Sequence, residues 1–405
     1  MNKYKRQLTF IDIVLSTIGY VVGAGIFAVI GIASKYGKDY TWISVIICII
    51  LAISTGLSYS ELSSIYNKNG GEYFYVKESF NNDTFSKIIA YFIIIVEILS
   101  VTAVAFGLGG YLKNIINIPS IVYAAISLIG FGYINYSGLR NSMNYSNIIT
   151  IVEVLGLIVI SLGGINTIGN TKFNVGNITT SQIQPIILGA AYIYFAFFGY
   201  DIIIELSEET KNPEKNIPYG MLTGIIVSAV LYLMVTLSAV SSIGWKALSQ
   251  TESPITEVAN KLLGSKFGSI ITFIAIISMT NTILMGHVGT SRFVQSMAKE
   301  LKIPYNLEKI DKKTNTPKNA IIIITVLTLM CLCFGNLENV LSFGNIGTLF
   351  LFFIINICVI VLRVKKPTIK RPFKIKGTIQ NVPMTSIVGA VGSLILGFVL
   401  IKSKI

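Results

Sequence analysis

The feature that most constrains this chain is a series of apolar runs too long and too free of charge for the core of a soluble domain. Windows of about 20 apolar residues, the length that crosses a bilayer as a helix, recur about eleven times. They fall near 10–33, 41–65, 86–112, 119–136, 147–169, 184–205, 218–242, 267–290, 318–334, 339–362 and 384–402. A soluble protein carries ~25% charged residues; this chain of 405 residues has 13%, with 53% hydrophobic residues and a mean hydropathy of +0.70. In hydrocarbon every backbone polar group must be paired within the segment. The expectation is an all-α polytopic membrane protein of about 11 transmembrane helices. Its polar connections, the largest near 65–85, 243–266, 292–317 and 363–383, are too short for a further globular domain. A single transmembrane unit over 1–405 follows.

The net charge of +13 would suit nucleic acid, but its placement argues for a membrane and against a nucleic-acid partner. Alternate connections hold Lys3, Lys5 and Arg6; Lys68, Lys77 and Lys87; Arg140; Lys211 and Lys215; and the clusters at 292–318 and 363–376. Most of the 32 Lys and Arg thus gather on one side, the positive-inside pattern. This predicts a cytoplasmic N-terminus in the cell (plasma) membrane, with Lys402 and Lys404 as the exception after an odd number of spans. The opening MNKYKRQLTF has a basic flank but no small-residue cleavage site, so it reads as an uncleaved first helix. Cys48, Cys331, Cys333 and Cys358 lie in apolar runs and read as small embedded hydrophobes. A single histidine, His287, argues against a His-based metal site or a Ser/His pair. No phosphate-cradling G-x-x-x-x-G-K-[ST] loop is present to use ATP. The chain reads as neither an enzyme nor a cofactor protein.

Two spans depart from plain lipid-crossing sequence. The first contains IGYVVGAGIFAVI at 18–30, with Gly19, Gly23, Ala24 and Gly25 at its middle. Each glycine costs roughly 1 kcal/mol in a helix interior. The cluster either breaks the helix, freeing backbone groups to line a cavity, or forms a small-residue packing face. The sixth span runs YIYFAFFGYDIIIELSEETKNPEKNIP over 192–218, where Asp201 closely follows Gly199. An intramembrane charge is a functional hypothesis by default; otherwise Asp201 sits in a wet vestibule or pairs with a neighbouring helix. Each interrupted span opens a block of about five, the arrangement that best points to a transporter site. Two more carboxylates stand inside spans. Glu97 in the third either lines a pocket or pairs across helices. Glu153 in the fifth is neutral and proton-exchanging, bound to a cation such as Na⁺, or paired with a donor. His287 is either structural or a partner for a Glu.

In order along the chain, GAGIF at 23–27, YSEL at 59–62 with GGEY at 70–73, the run 195–218 with Glu208, Glu209 and KNP at 211–213, Ser291 and Arg292 with TP at 316–317 and NA at 319–320, GT at 347–348 and RPF at 371–373 resemble the amino acid permeases of the amino acid–polyamine–organocation superfamily. The resemblance covers about 8–376. It implies a five-plus-five inverted-repeat core, with halves near 9–170 and 184–363 and an additional helix at 384–402. It also implies secondary active transport of a small-molecule amino acid by alternating access. The substrate carboxylate would meet amides of Gly23, Ala24, Gly25 and Ile26. The ammonium would meet carbonyls around Phe195, Ala196 and Phe198, beside Gly199, with Phe198 or Tyr200 as a thin gate. Glu208, Glu209 and Lys211 would hold the inner gate. Two departures stand out: relatives commonly have twelve spans, and many proton-coupled ones carry a lysine where this chain has Glu153. Glu153, Asp201 and Glu97 are the expected coupling and gating groups, for H⁺ or Na⁺, with proton coupling favoured. The alternatives are an amino acid/amine exchanger and a non-transporting sensor.

Overall fold

The computed structural model describes residues 6–113, 115–138, 142–168, 178–298, 300–303, 306–314, 316–334 and 336–403. Lys3, Lys5, Arg140, Lys299 and Lys404 of the charge pattern lie outside the described residues, as do residues 169–170 at the end of the first expected half.

Helix α1 (Phe10–Ala24) starts on a capping box: the Thr9 N–H donates to the Asp12 carboxylate at 2.8 Å, and the Asp12 N–H donates to Thr9 Oγ1 at 3.4 Å. It runs through a π-helical turn (Gly25–Val29) into α2 (Ile30–Gly37), then a 3₁₀ turn (Lys38–Tyr40) into α3 (Thr41–Ile65). These elements follow one another without an intervening loop over 56 residues, although the backbone leaves helical geometry at Gly23. At 1.5 Å per residue the stretch is more than twice as long as a ~30 Å bilayer core needs. The left-handed backbone of Lys38 (φ 51°) interrupts it. Two of the eleven apolar windows therefore share this stretch.

The amphipathic connection holds α4 (Gly71–Phe80), followed by α5 (Asp83–Lys113), α6 (Ser120–Ser137) and α7 (Ser142–Ile168). The sixth window gives α8 (Thr180–Ile193), a 3₁₀ turn (Tyr194–Phe197), a non-helical link and a second 3₁₀ segment (Asp201–Glu209). Next come α9 (Pro213–Gln250), kinked at Gly244, then α10 (Pro254–Leu263) and α11 (Ser265–Met297). Both α9 and α10 open on proline, whose missing N–H costs nothing at a helix start. The chain closes with α12 (Lys318–Cys331), α13 (Leu337–Lys365), a two-stranded hairpin of β1 (Thr378–Ile379) and β2 (Val382–Pro383), and α14 (Met384–Lys402).

Among the described residues nine helical stretches are long and apolar enough to cross a membrane. The shorter α12 takes the window at 318–334, its helix tightening to 3₁₀ at Leu332. Large apolar side chains stand exposed on α5, α6, α7 and α14, among them Ile95, Ile126, Leu155 and Phe398. They form the face a bilayer would cover. Inside, α1 packs on α7, α9 and α11, while α5 packs on α11 and α13.

The ion pairs sort the helix ends into two groups. At the N-terminal end Arg363 grips Glu61 through Nε (2.6 Å) and Nη2 (2.5 Å), and Arg371 Nε reaches the same carboxylate at 3.1 Å. The Ile375 N–H donates to it as well, at 2.9 Å. Two motifs 310 residues apart, YSEL and RPF, thus meet in one buried knot. At the opposite end Lys113 pairs with Glu252 and Lys35 with Glu338.

Candidate functional site

Both interrupted spans are broken, and the breaks touch. Gly23 leaves helical geometry (φ −19°, ψ −127°) ahead of the π turn. In the sixth span Phe198 is extended (φ −75°, ψ 165°) and Gly199 adopts φ +102°, a conformation L side chains rarely take. A Cβ on Gly25 would lie 2.4 Å from Ala196 Cα. Glycine there is what lets one break approach the other. The packing reading of the cluster holds too: a Cβ on Gly19 would meet Thr150 of α7, and one on Gly23 would meet Thr282 of α11.

Carbonyls released by the second break find partners. The Tyr232 hydroxyl of α9 sits 2.8 Å from Ala196 O and 2.5 Å from Val21 O, sharing its proton between the two broken spans. Asn345 Nδ2 donates to Ala191 O at 2.9 Å, and the Phe198 N–H donates to Phe195 O at 3.1 Å. Such pairing is what a non-helical backbone needs in a low-dielectric interior.

Where the breaks cross there is a cavity with about 50 Å³ open to the centre of a water molecule, several times what one water requires. Gly25, Phe195, Phe198, Gly199, Asp201 and Glu97 are on its wall. Tyr20, Ser100, Val101, Val104, Ile202, Thr282, Gly286 and Thr348 complete much of the rest. Glu97 lies near the middle of α5 and Thr282 near the middle of α11, which sets the cavity at mid-height. The Gly199 N–H donates to Asp201 Oδ1 at 3.0 Å, tying this carboxylate to the break. Glu97 has no hydrogen bond or ion pair to any described residue.

Other sequence-selected residues stand off the wall. Gly23, Ile26 and Ala196 belong to the breaks but do not line the cavity, and the side chain of Ala24 lies outside what the structure describes. Tyr200 stacks on Phe352 (5.4 Å between centroids) and meets Tyr59 edge-on, so of the two gate candidates Phe198 alone faces the cavity. Glu153 is fully buried between α7 and α11 and accepts from the Ser278 hydroxyl, its other oxygen without a partner among the described residues. Neither ring nitrogen of the buried His287 has a hydrogen-bond partner among the described residues. Tyr20, Thr282 and Tyr232 escaped sequence reading, because only the crossing of helices distant in sequence gives them a role. Ser100, Val101 and Val104 could have been found: they follow Glu97 at i+3, i+4 and i+7, one helix face.

The two sides of the cavity differ. Toward the N-terminal end, Gln7 and Leu8 N–H groups donate to Glu209 O at 2.8 and 3.0 Å, and the Lys211 N–H donates to Leu8 O at 2.9 Å. Arg292 pairs with Glu209 at 3.3 Å. Both Glu205 oxygens accept from the Gly70 N–H (2.8 and 2.9 Å), and Tyr59 donates to Glu72. The motifs at 59–62 and 70–73 thus brace the segment after the break. Toward the other end an open hollow of about 790 Å³ begins one turn beyond the cavity, at Ala28 and Phe106, and widens to Lys113, Glu252 and Glu338.

An apolar-belted helical bundle with two broken spans meeting at a buried mid-height cavity defines a multi-pass membrane protein of the broken-helix transporter class. The comparisons narrow this. The chain belongs to the amino acid permease family, whose pattern it matches over residues 8–403, so it is a transporter and not an enzyme. It is 26% identical over 394 residues to the branched-chain amino acid permease BcaP of Bacillus subtilis, covering 92% of this chain and 84% of the relative. To the methylthioribose transporter of the same organism it is 27% identical over 410 residues, covering 95% and 86%. The cationic amino acid transporter 1 of Arabidopsis thaliana is 24% identical over 381 residues, covering 89% and 63%.

Proposed function

We propose that this chain carries an amino acid across the plasma membrane by alternating access, with a proton as the coupling ion and the N-terminus in the cytoplasm. The observation that carries the reading is the cavity formed where the break at Gly25 meets the break at Gly199, strapped on one side and facing a hollow on the other. A site with one sealed approach and one wide approach suits one half of a transport cycle. The opposite half requires the strap at Gln7–Leu8 to part from 209–211.

In this reading the substrate carboxylate meets the first break at 23–26 through Gly25, the residue of that stretch on the cavity wall, where freed N–H groups favour an anion. Its ammonium lies against the broken sixth span, near the Phe195 and Phe198 backbone and the Asp201 carboxylate, with Phe198 covering it. Glu153, Asp201 and Glu97 are the coupling groups. The breaks near the start of 9–170 and of 184–363 support two inverted halves followed by the helix at 384–402. The collection of Lys and Arg at the N-terminal end supports the orientation.

The test is flux into liposomes holding the purified chain. Labelled amino acid should accumulate under an inward proton gradient, and a decarboxylated analogue should compete far more weakly. Uptake that occurs only against preloaded internal amino acid would establish an exchanger, and binding without flux would establish a sensor. Equal competition by the analogue would remove the carboxylate assignment.

A further inference from the structure

The relatives' names disagree about cargo, so the choice among amino acids falls to the cavity wall. We propose, building on the carrier reading above, that the cargo is a cationic amino acid, one whose side chain ends in an ammonium or guanidinium, and that Glu97 selects it.

The first ground is charge. Two carboxylates, Glu97 and Asp201, face the cavity, and among the described residues no Lys, Arg or His stands on its wall. A neutral amino acid arrives as a zwitterion and adds no net charge, so the filled cavity needs two protons to become neutral. An acidic amino acid adds a third negative group. A cationic amino acid brings two positive groups and one negative, and a single accompanying proton then makes the filled cavity neutral. Unpaired charge in a low-dielectric interior is heavily penalised, so this balance discriminates among substrates.

The second ground is geometry. The two carboxylates are not equivalent. Asp201 is fixed beside the broken backbone by the Gly199 N–H, in place to meet the group common to all amino acids. Glu97 is on a different helix, has no partner among the described residues, and is free to meet a variable group. Val101 and Val104 rise from it along the same face of α5, one and two turns away. That track suits the methylene stem of a lysine or arginine, with the charged head at Glu97. Tyr20, 7% exposed and on the same wall, keeps a hydroxyl with no hydrogen-bond partner among the described residues, available to a ligand N–H.

The experiment measures uptake and competition in proteoliposomes of the full chain with labelled L-lysine and labelled L-leucine. Lysine should be carried, arginine should compete, and leucine should be at least tenfold poorer, a gap on the order of that between a paired and an unpaired buried charge. Glu97→Gln should lower the ratio of lysine to norleucine, its uncharged analogue, by about a hundredfold, whatever it does to the rate of either. Leucine carried as well as lysine by the wild-type chain overturns the proposal and leaves the carrier reading standing. This comparison needs no variant, so it decides even where Glu97→Gln fails to insert. An unchanged lysine-to-norleucine ratio in an inserted Glu97→Gln variant overturns it equally. Absence of flux and of ligand-induced thermal stabilisation with every amino acid tried would instead bring down the carrier reading itself.

Discussion

Single side chains decide how the two breaks survive in a dry interior. Tyr232 offers one hydroxyl to two freed carbonyls, Val21 O and Ala196 O. Tyr232→Phe should therefore lower stability by about 1–3 kcal/mol, the cost of leaving a buried polar group unmatched. Thermal unfolding in detergent measures it, and an unshifted transition would show that water takes over both carbonyls. Glu153 poses a different question, since a charge at helix centre costs ~2.5–3.5 kcal/mol on insertion scales and its donor is the Ser278 hydroxyl. Glu153→Gln keeps an acceptor and adds donors. If Glu153 exchanges the coupling proton, this variant should still exchange internal for external substrate but no longer respond to a pH gradient. Full gradient-driven accumulation by the variant would place coupling at Asp201 or Glu97. Sequence alone marked Glu97, Glu153 and Asp201, because a carboxylate among Ile, Val and Leu is conspicuous. It could not sort them, because whether a helix residue faces a cavity or a neighbour depends on which helix packs there.

At the scale of elements, the glycine cluster and the FFGYD run were legible as interruptions, since both disfavour continued helix. That the two interruptions abut was not legible. It comes from Gly25 facing Ala196 at a distance that admits no Cβ. Gly25→Ala puts a methyl against main chain rather than against a side chain that could swing away. It should abolish uptake while normal amounts of protein reach the membrane, read by surface labelling beside transport. Retained uptake would mean that the breaks can separate without loss of the site. The first two spans were read as separate windows, and the structure joins them through π and 3₁₀ turns, since no proline or long polar linker intervenes between 24 and 41.

For the whole molecule, the apolar belt and the clustering of basic residues were written in composition and spacing, and the tertiary braces were not. YSEL and RPF carry no sign in sequence that Glu61 receives Arg363, Arg371 and the Ile375 N–H together. Glu61→Gln leaves Arg363, fully buried, without its counter-ion and should destabilise the fold by about 3–5 kcal/mol. A melting temperature equal to wild type would show that the arginine finds water or another acceptor. The strap closing that same end is built differently. Its contacts run from peptide N–H to peptide C=O, between 7–8 and 209–211. Leu8→Pro deletes one donor, so a cysteine placed at Ile202 should react faster with an impermeant maleimide from that side, whereas Leu8→Ala should leave the rate alone. A latch made of main chain carries no lettering: any residue with a peptide N–H can supply its hydrogen bonds, so the side-chain pattern alone does not reveal that it is there.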